Sequence, residues 1–375
     1  MIKQEHIIDS LKITTIEIPN KVYRNYLENS DNSKEKTDHV WFSKDICSTM
    51  SEELLTQLKT SSLVKAQDFD HITSFSFTRQ SFYDKNWNTV NTMARGLFVN
   101  NVTKEIVARS YKKFFNLNEN PEHTLDQLQQ TLAFPVDIYE KENGFLGIVG
   151  YDTQTNTLFI TSKSNPESPF ADNFRRIFNN TFDEGKRSTI KRLLRDQKAT
   201  MVFEVNDPIN DPHMIEYDKE HLVLLDVIAR DENFIKADYD YVKSIAKKFG
   251  VKVKKRLAKI NSWDNLVGFI KNVEAKDDYF THTQIEGYVY EDSAGFMFKQ
   301  KTNYYSFWKS MRTMKDRKAS SIEKNKVFDK KTRENNNLST AFVNYLDEQS
   351  LDTLKSDIIT VRNNFITEYN SKDGD

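Results

Sequence analysis

Apolar residues recur at helical spacing in "MSEELLTQLKT" (50–60) and in "TLDQLQQTL" (124–132), where Thr124 is placed to cap the first turn. The same period returns at 171–197, 238–249 and 262–274, and the stretch 338–370 reads as helix to its end. Between these lie short runs of aliphatic, aromatic and β-branched residues. They are "GLFVN" (96–100), "FLGIVGYD" (145–152), "LFITSK" (158–163), "TMVFEV" (200–205), "HLVLLDVIAR" (221–230), "IEGYVYE" (285–291) and "GFMFKQK" (295–301). The connectors "TQTNT" and "EDSA" have the length and polarity of hairpin turns. Strands in pairs with short turns, separated by helices, predict an α+β fold with antiparallel sheets rather than a doubly wound parallel one. The helical C-terminal run predicts a small second domain, 306–375, behind a main domain, 1–305, that includes an N-terminal extension.

Composition narrows the class. Hydrophobic residues make up 38% and charged residues 29% of the 375 positions, the balance of a globular protein with a polar lean. With 10 glycines and 7 prolines, no flexible linker stands out. No apolar run approaches the ~20 residues that span a bilayer. The opening "MIKQEHIIDSLKI" carries Glu5 and Asp9 and lacks the apolar core of a signal peptide, so no membrane and a cytoplasmic location are expected. The single cysteine, Cys47, excludes an internal disulfide and a cysteine-built zinc site, and fits a reducing compartment. The net charge is −1, but its distribution is uneven. Residues 243–259 hold eight Lys/Arg and no acid, and residues 299–333 hold twelve against Asp316, Glu323 and Asp329. Basic blocks on a neutral chain suit a phosphate-binding face; a solvated helix face is the plainer alternative.

Several chemistries lack their motif. There is no phosphate-binding loop, since "EGKRS" lacks the first glycine and the adjacent Ser/Thr. A G-x-G-x-x-G fingerprint, an H-E-x-x-H pair and a G-x-S-x-G elbow are also missing. His71-Ile-Thr73 is a lone H-x-T, where a two-histidine phosphoesterase needs two.

What remains is an ordered set of polar residues on apolar strands. Lys141 stands in "YEKENGFLGIVGYD", before Asn143-Gly144; by itself this stretch reads as an exposed lysine at a hairpin edge. Glu204 follows in "VFEV", Glu286 in "QIEGYVY", and Lys299 and Lys301 in "FKQK". Strand alternation sets Lys299 and Lys301 on one face, a costly arrangement unless an anion lies beside them. Upstream lie "ARGLFV", with Arg95, and "IVARSYKKFFNLNE", with Arg109, Lys112, Lys113, Phe114 and Phe115.

In that order (K-E-N-G, S-K, F-E, I-E-G, K-x-K) the chain resembles the covalent nucleotidyltransferases, and within them the RNA ligase 1 family of phage-type tRNA-repair ligases and the adenylyltransferase domain of fungal tRNA ligases. The resemblance covers residues 70–305. It implies a ligase fold and an ATP-dependent RNA ligase that joins 5′-phosphate to 3′-hydroxyl ends through a lysyl-AMP and an AMP-RNA intermediate. Carried onto this sequence, it makes Lys141 the adenylylated lysine, with Asn143 and Gly144 shaping its loop. Lys163 becomes the next basic residue, and Glu204 the ribose holder. Glu286 and Gly287 form the element beside the catalytic metal, Mg²⁺ or Mn²⁺. Lys299 and Lys301 touch the α-phosphate, Arg95, Lys113 and Phe115 surround the triphosphate, and Tyr305 is an aromatic near the nucleotide. The common motif has Asp where this chain has Asn143; fungal tRNA ligases also carry Asn there.

The chemistry is consistent. An attacking lysine must be neutral, and burial with Lys299 and Lys301 nearby is expected to lower the pKa of Lys141. The implied partner is RNA, a tRNA with a break, held by the two basic blocks. The chain is expected to be monomeric. No kinase or cyclic-phosphodiesterase signature is present, so separate end-healing enzymes are expected as partners. A DNA ligase or capping enzyme is the second enzyme reading, but the helical residues after Lys301 do not suit the OB-fold usual there. An RNA-binding or damage-sensing module on an inactive ligase fold is the non-enzyme alternative.

Overall fold

The computed structural model describes residues 42, 46–275, 285–332, 334 and 336–372. The expected N-terminal extension lies, over residues 1–41, outside the described residues. The fold is α+β and is built on three sheets. The first contains β1 (Val64–Phe69), β2 (Ile72–Phe77), β3 (Leu97–Asn100) and β4 (Ile106–Arg109), in that order. Next in the chain come β5 (Phe115–Asn116), β6 (Val136–Lys141), β7 (Phe145–Asp152), β8 (Thr157–Ser162), β9 (Ala199–Asn206) and β10 (His221–Ala229). The set ends with β11 (Lys252–Val253), β12 (Arg256–Ile260), β13 (Gly287–Glu291) and β14 (Met297–Lys301). The second sheet runs β11-β10-β9-β7-β8 and the third β12-β6-β13-β14-β5. Pairing is antiparallel except at β10–β11 and β14–β5.

The "TQTNT" and "EDSA" hairpins form as expected, joining β7 to β8 and β13 to β14. The K-E-N-G stretch does not form a hairpin. Lys141 ends β6 in the third sheet, and Phe145 opens β7 in the second, so residues 142–144 cross between sheets. Gly144 is required by that crossing. A Cβ there would meet the Val205 carbonyl oxygen at 2.1 Å and Asn206 Oδ1 at 2.6 Å, too close for either to yield.

The expected helix at 171–197 is two helices, Pro169–Thr181 and Glu184–Asp196. Asp183 accepts from the Lys186 N–H and starts the second, and Phe182 turns into the core between them. The C-terminal run is likewise broken, into Asn337–Asp347, Leu351–Lys355 and Ile358–Lys372. A longer helix, Asn303–Glu323, follows β14 directly, and the 305/306 boundary falls in its first turn.

The two helices at 169–196 and Tyr239–Phe249 pack on the second sheet through Phe174, Phe178, Leu194 and Ile245. Trp263–Glu274 packs on the third through Leu266, Phe269 and Ile270. The first sheet lays Phe98 and Val107 against Ile148 and Val202 of the second. The C-terminal helices enclose Trp308, Phe342, Val361 and Phe365, and they also take in Met214 and Ile215 from the segment between β9 and β10. Among the described residues, no helix is long and apolar enough to cross a membrane.

Trp308 is 0% exposed and contacts the rings of Phe307, Phe342 and Phe365. Trp308→Ala is expected to destabilise the fold by about 3–5 kcal/mol. Val327→Ala, at a side chain 96% exposed, is expected to stay within about 0.5 kcal/mol of the parent in the same denaturant titration. Equal midpoints for the two variants would contradict this core.

Candidate active site

Strand β13 pairs Gly287 with Lys141 of β6 on one side and with Lys301 of β14 on the other. Two residues on, Val289 pairs with Tyr139 and with Lys299. Cross-strand partners share a face, so Lys141, Lys299 and Lys301 rise from one face of the third sheet. Gly287 sits between two lysines, and a Cβ on it would meet the Gln300 carbonyl oxygen at 2.1 Å.

The counter-charge comes from the residue just before β13. Glu286 is buried, with its carboxylate 2.9 Å from Lys141 Nζ and 3.5 Å from Lys301 Nζ. Asn143 Nδ2 donates to Glu286 Oε2 at 2.9 Å. Burial alone would raise the Glu286 pKa, but Lys141, then Lys301, bring it down to about 2. A second carboxylate, Glu204 on β9, accepts from the Gly144 N–H at 2.9 Å. Burial raises its pKa above the usual carboxylate range, against the pull of Lys141.

The lysines divide. For Lys141, burial opposes the charged form, yet Glu286 and Glu204 outweigh it and lift the pKa above the ordinary lysine value. The expected lowering by Lys299 and Lys301 is therefore overturned. The reason is proximity: the carboxylate is 2.9 Å away. Lys299 takes the opposite shift. Burial, then repulsion from Lys141, Lys113 and Arg95, lowers it to about 7. Lys301 falls to about 8, mainly by burial, with Glu286 partly restoring it. Its ammonium stands 4.6 Å over the Tyr305 ring, and that of Lys299 stands 5.0 Å over Phe114.

Arg95, Lys141, Glu204, Glu286 and Lys299 line one cleft between the second and third sheets. Lys113 stands beside it, 3.8 Å over the Phe115 ring and 3.4 Å from Glu119. Lys163 follows β8, 5.9 Å from the Phe77 ring, with its pKa lowered by burial and then by Arg95. Asn143, Gly144 and Gly287 shape the backbone behind these groups. Arg109 does not join them: its guanidinium is buried and donates to the carbonyls of Asp231 and Asn233. Lys112 lies 6.0 Å from the Phe234 ring.

Lining residues that were not singled out from sequence include Tyr111, Tyr139, Glu140, Glu142 and Lys254. Lys254 is buried and 2.8 Å from Asp226, which also accepts from the Tyr111 hydroxyl at 2.9 Å. The signal was a lone acid inside "HLVLLDVIAR", since an acid in an apolar strand is seldom left unpaired. The basic block 243–259 is accordingly not one solvated face. Lys254 is inside, and Lys255 and Arg256 pair with Glu140 and Asp137. In the block 299–333, Lys315 is buried and donates to the carbonyls of Leu354 and Ser356.

The cleft is lined by Arg95, Lys141, Lys254 and Lys299 and by Glu140, Glu142, Glu204 and Glu286, so charges of both signs meet there. Lys299 and Lys301 have lost basicity to burial and then to neighbouring cations, and an anion among them would restore it. Among the described residues no three His, Cys, Asp or Glu side chains are gathered to hold a metal. Mg²⁺ commonly takes one or two carboxylates together with substrate phosphates and water, and the ionised Glu286 suits that role.

The chain is similar to several known proteins. The fungal tRNA ligase of Candida albicans is 24% identical over 379 residues, covering 88% of this chain and 45% of its own length. The tRNA ligase 1 of Schizosaccharomyces pombe is 26% identical over 215 residues, covering 54% of this chain and 27% of its own. The chain thus spans less than half the length of these curated relatives. An archaeal ATP-dependent RNA ligase structure superposes with a TM-score of 0.48 at 11% identity, covering 81% of this chain and 73% of that one. The family model described as RNA ligase, of the RNA ligase 1 type, matches residues 93–305, more than half of the 375 positions, and the chain belongs to that family.

Proposed function

We propose that this chain is an ATP-dependent RNA ligase whose Lys141 carries AMP. One observation carries the reading: Lys141, Lys299 and Lys301 share a sheet face around the Glu286 carboxylate, at a cleft that Arg95 also lines. A binding module has no need of a lysine held at 2.9 Å by a buried carboxylate beside an anion site.

In the first step Lys141 Nζ, after losing a proton, attacks the α-phosphorus of ATP; a P–N bond forms and pyrophosphate leaves. Lys299 and Lys301 stabilise charge on the α-phosphoryl oxygens, and Arg95, Lys113 and Lys163 hold the departing phosphates. Glu204 takes the ribose. A divalent cation, Mg²⁺ or Mn²⁺, when bound beside Glu286, supplies charge neutralisation at the phosphoryl oxygens. Ionised Glu286 holds the Lys141 ammonium in place before nucleotide arrives. AMP then passes from Lys141 to an RNA 5′-phosphate. Attack by a 3′-hydroxyl forms the phosphodiester and releases AMP. The substrate we favour is a broken tRNA, healed beforehand by separate enzymes and sealed in the cytoplasm by a monomer. Exposed members of the basic blocks, such as Lys247, Lys248 and Lys309, are placed to meet its phosphates.

Incubation with α-labelled ATP and Mg²⁺ is expected to give a labelled chain on a denaturing gel, and Lys141→Ala to abolish it. A label from GTP but not ATP would favour a capping enzyme, and none from either the binding module.

A second expectation concerns protons. Lys299 loses its proton at about pH 7 in the free protein, so at higher pH much of it is neutral. A polyphosphate raises that pKa, so binding must take up protons above neutrality and nucleotide affinity must fall as pH rises. Calorimetry at about pH 8 in buffers of different ionisation enthalpy is expected to show net proton uptake, reduced in Lys299→Met. Uptake unchanged by that substitution would contradict the assignment.

A further inference from the structure

We infer that Arg362, on the last helix, is a positioning residue for the Lys141 loop, so that the C-terminal helices help to build the adenylylation site. The inference rests on Lys141 being the nucleophile.

The link is the segment between β9 and β10. Its Ile215 N–H donates to Asn143 Oδ1 at 3.2 Å, and its Tyr217 hydroxyl accepts from the Asn143 N–H at 3.0 Å. Asn143 Nδ2 donates to Glu286, and Glu286 holds Lys141. An amide side chain has one accepting and one donating end. Occupying its oxygen with the Ile215 N–H turns its nitrogen toward the Glu286 carboxylate. Were the amide to rotate, its oxygen would face that carboxylate, and the two acceptors would repel.

Ile215 is in turn fixed from the far side. Arg362 Nη1 donates to the Met214 carbonyl at 2.7 Å, and Nη2 donates to the Glu216 carboxylate. Asn363 Nδ2 donates to the same Glu216 oxygen at 3.1 Å. Arg362 thus grips both neighbours of Ile215. Its guanidinium is 1% exposed and lies 5.8 Å from the Tyr304 ring and 5.9 Å from the Trp308 ring, both on the helix that follows Lys301. An arginine that only stabilised the helical cluster would spend its donors inside it. Nη1 and Nη2 go instead to the segment that orients Asn143, while Nε donates to Asn363 Oδ1 on its own helix.

The test uses single-turnover adenylylation of the full chain with saturating ATP and no RNA. Arg362→Met and Glu216→Ala are expected to slow adduct formation, the first by about tenfold or more, with little change in apparent ATP affinity. Glu216 is partly exposed, so Glu216→Ala is expected to lower the melting temperature less than Arg362→Met, and it serves if Arg362→Met does not fold. In an Asn143→Ala background, Glu216→Ala is expected to change the rate no further, because it acts through Asn143. Parent-like rates in both variants, or an additive effect in that background, would overturn the inference. So would slowing seen only in later sealing of RNA. A parent protein that forms no adduct would instead overturn the assignment of Lys141.

Discussion

A carboxylate buried among lysines is the constraint on which the site depends. Glu286 lies within 4 Å of two ammonium groups, and without it the cations of the cleft would face one another in a poorly solvated space. Lys299, with no carboxylate so close among the described residues, loses its proton near neutrality through burial and then through repulsion from these cations. Lys141, paired with Glu286, keeps its own well above that. Breaking a buried pair by removing one partner commonly costs about 3–5 kcal/mol, because the other charge is left uncompensated. Glu286 thus makes an otherwise unfavourable cluster of positive charge compatible with a folded sheet.

The sheet arrangement supplies the rest. Because β13 runs between β6 and β14, Lys141 and Lys301 stand on either side of a glycine, and the residue before β13 reaches both. Because β6 and β7 belong to different sheets, the loop after Lys141 carries the chain from one wall of the cleft to the other. There the Gly144 N–H meets Glu204, so the two walls are joined at the proposed nucleophile by a hydrogen bond as well as by the chain. A slip of one residue in β13 would turn its own side chains to the opposite face and take Gly287 from between the two lysines.

The C-terminal helices are tied to this arrangement at two points. One is Tyr305, in the first turn after β14, under the Lys301 ammonium. The other is the segment 214–217, whose apolar residues are buried among the helices while its polar groups meet Asn143. A charge-bearing loop is thereby supported by an apolar core that it does not itself contain.

By itself the sequence determined the elements with a strong period and the residue types of the site. Lone acids and lysines on apolar strands are conspicuous because burying them is costly; Glu204, Glu286 and Lys299 were legible on that ground, and Lys141 by the order it shares with a known family. Strands that bury Ser and Thr beside apolar residues were missed; in β2, Thr73 and Ser74 are buried together with Ile72 and Phe75, which leaves no apolar period. Pairing was not legible either. Whether Lys-Glu-Asn-Gly turns a hairpin or crosses between sheets depends on partners distant in the chain, and only the tertiary structure decided it. The same holds for charge. A lysine's proton affinity is set by what lies within a few ångströms, so the carboxylate beside Lys141 and the cations around Lys299 reversed the order of basicity that neighbouring lysines alone suggested. Met214 to Tyr217 carried no signal in sequence, because their role is to join two parts of the fold that the chain order keeps apart.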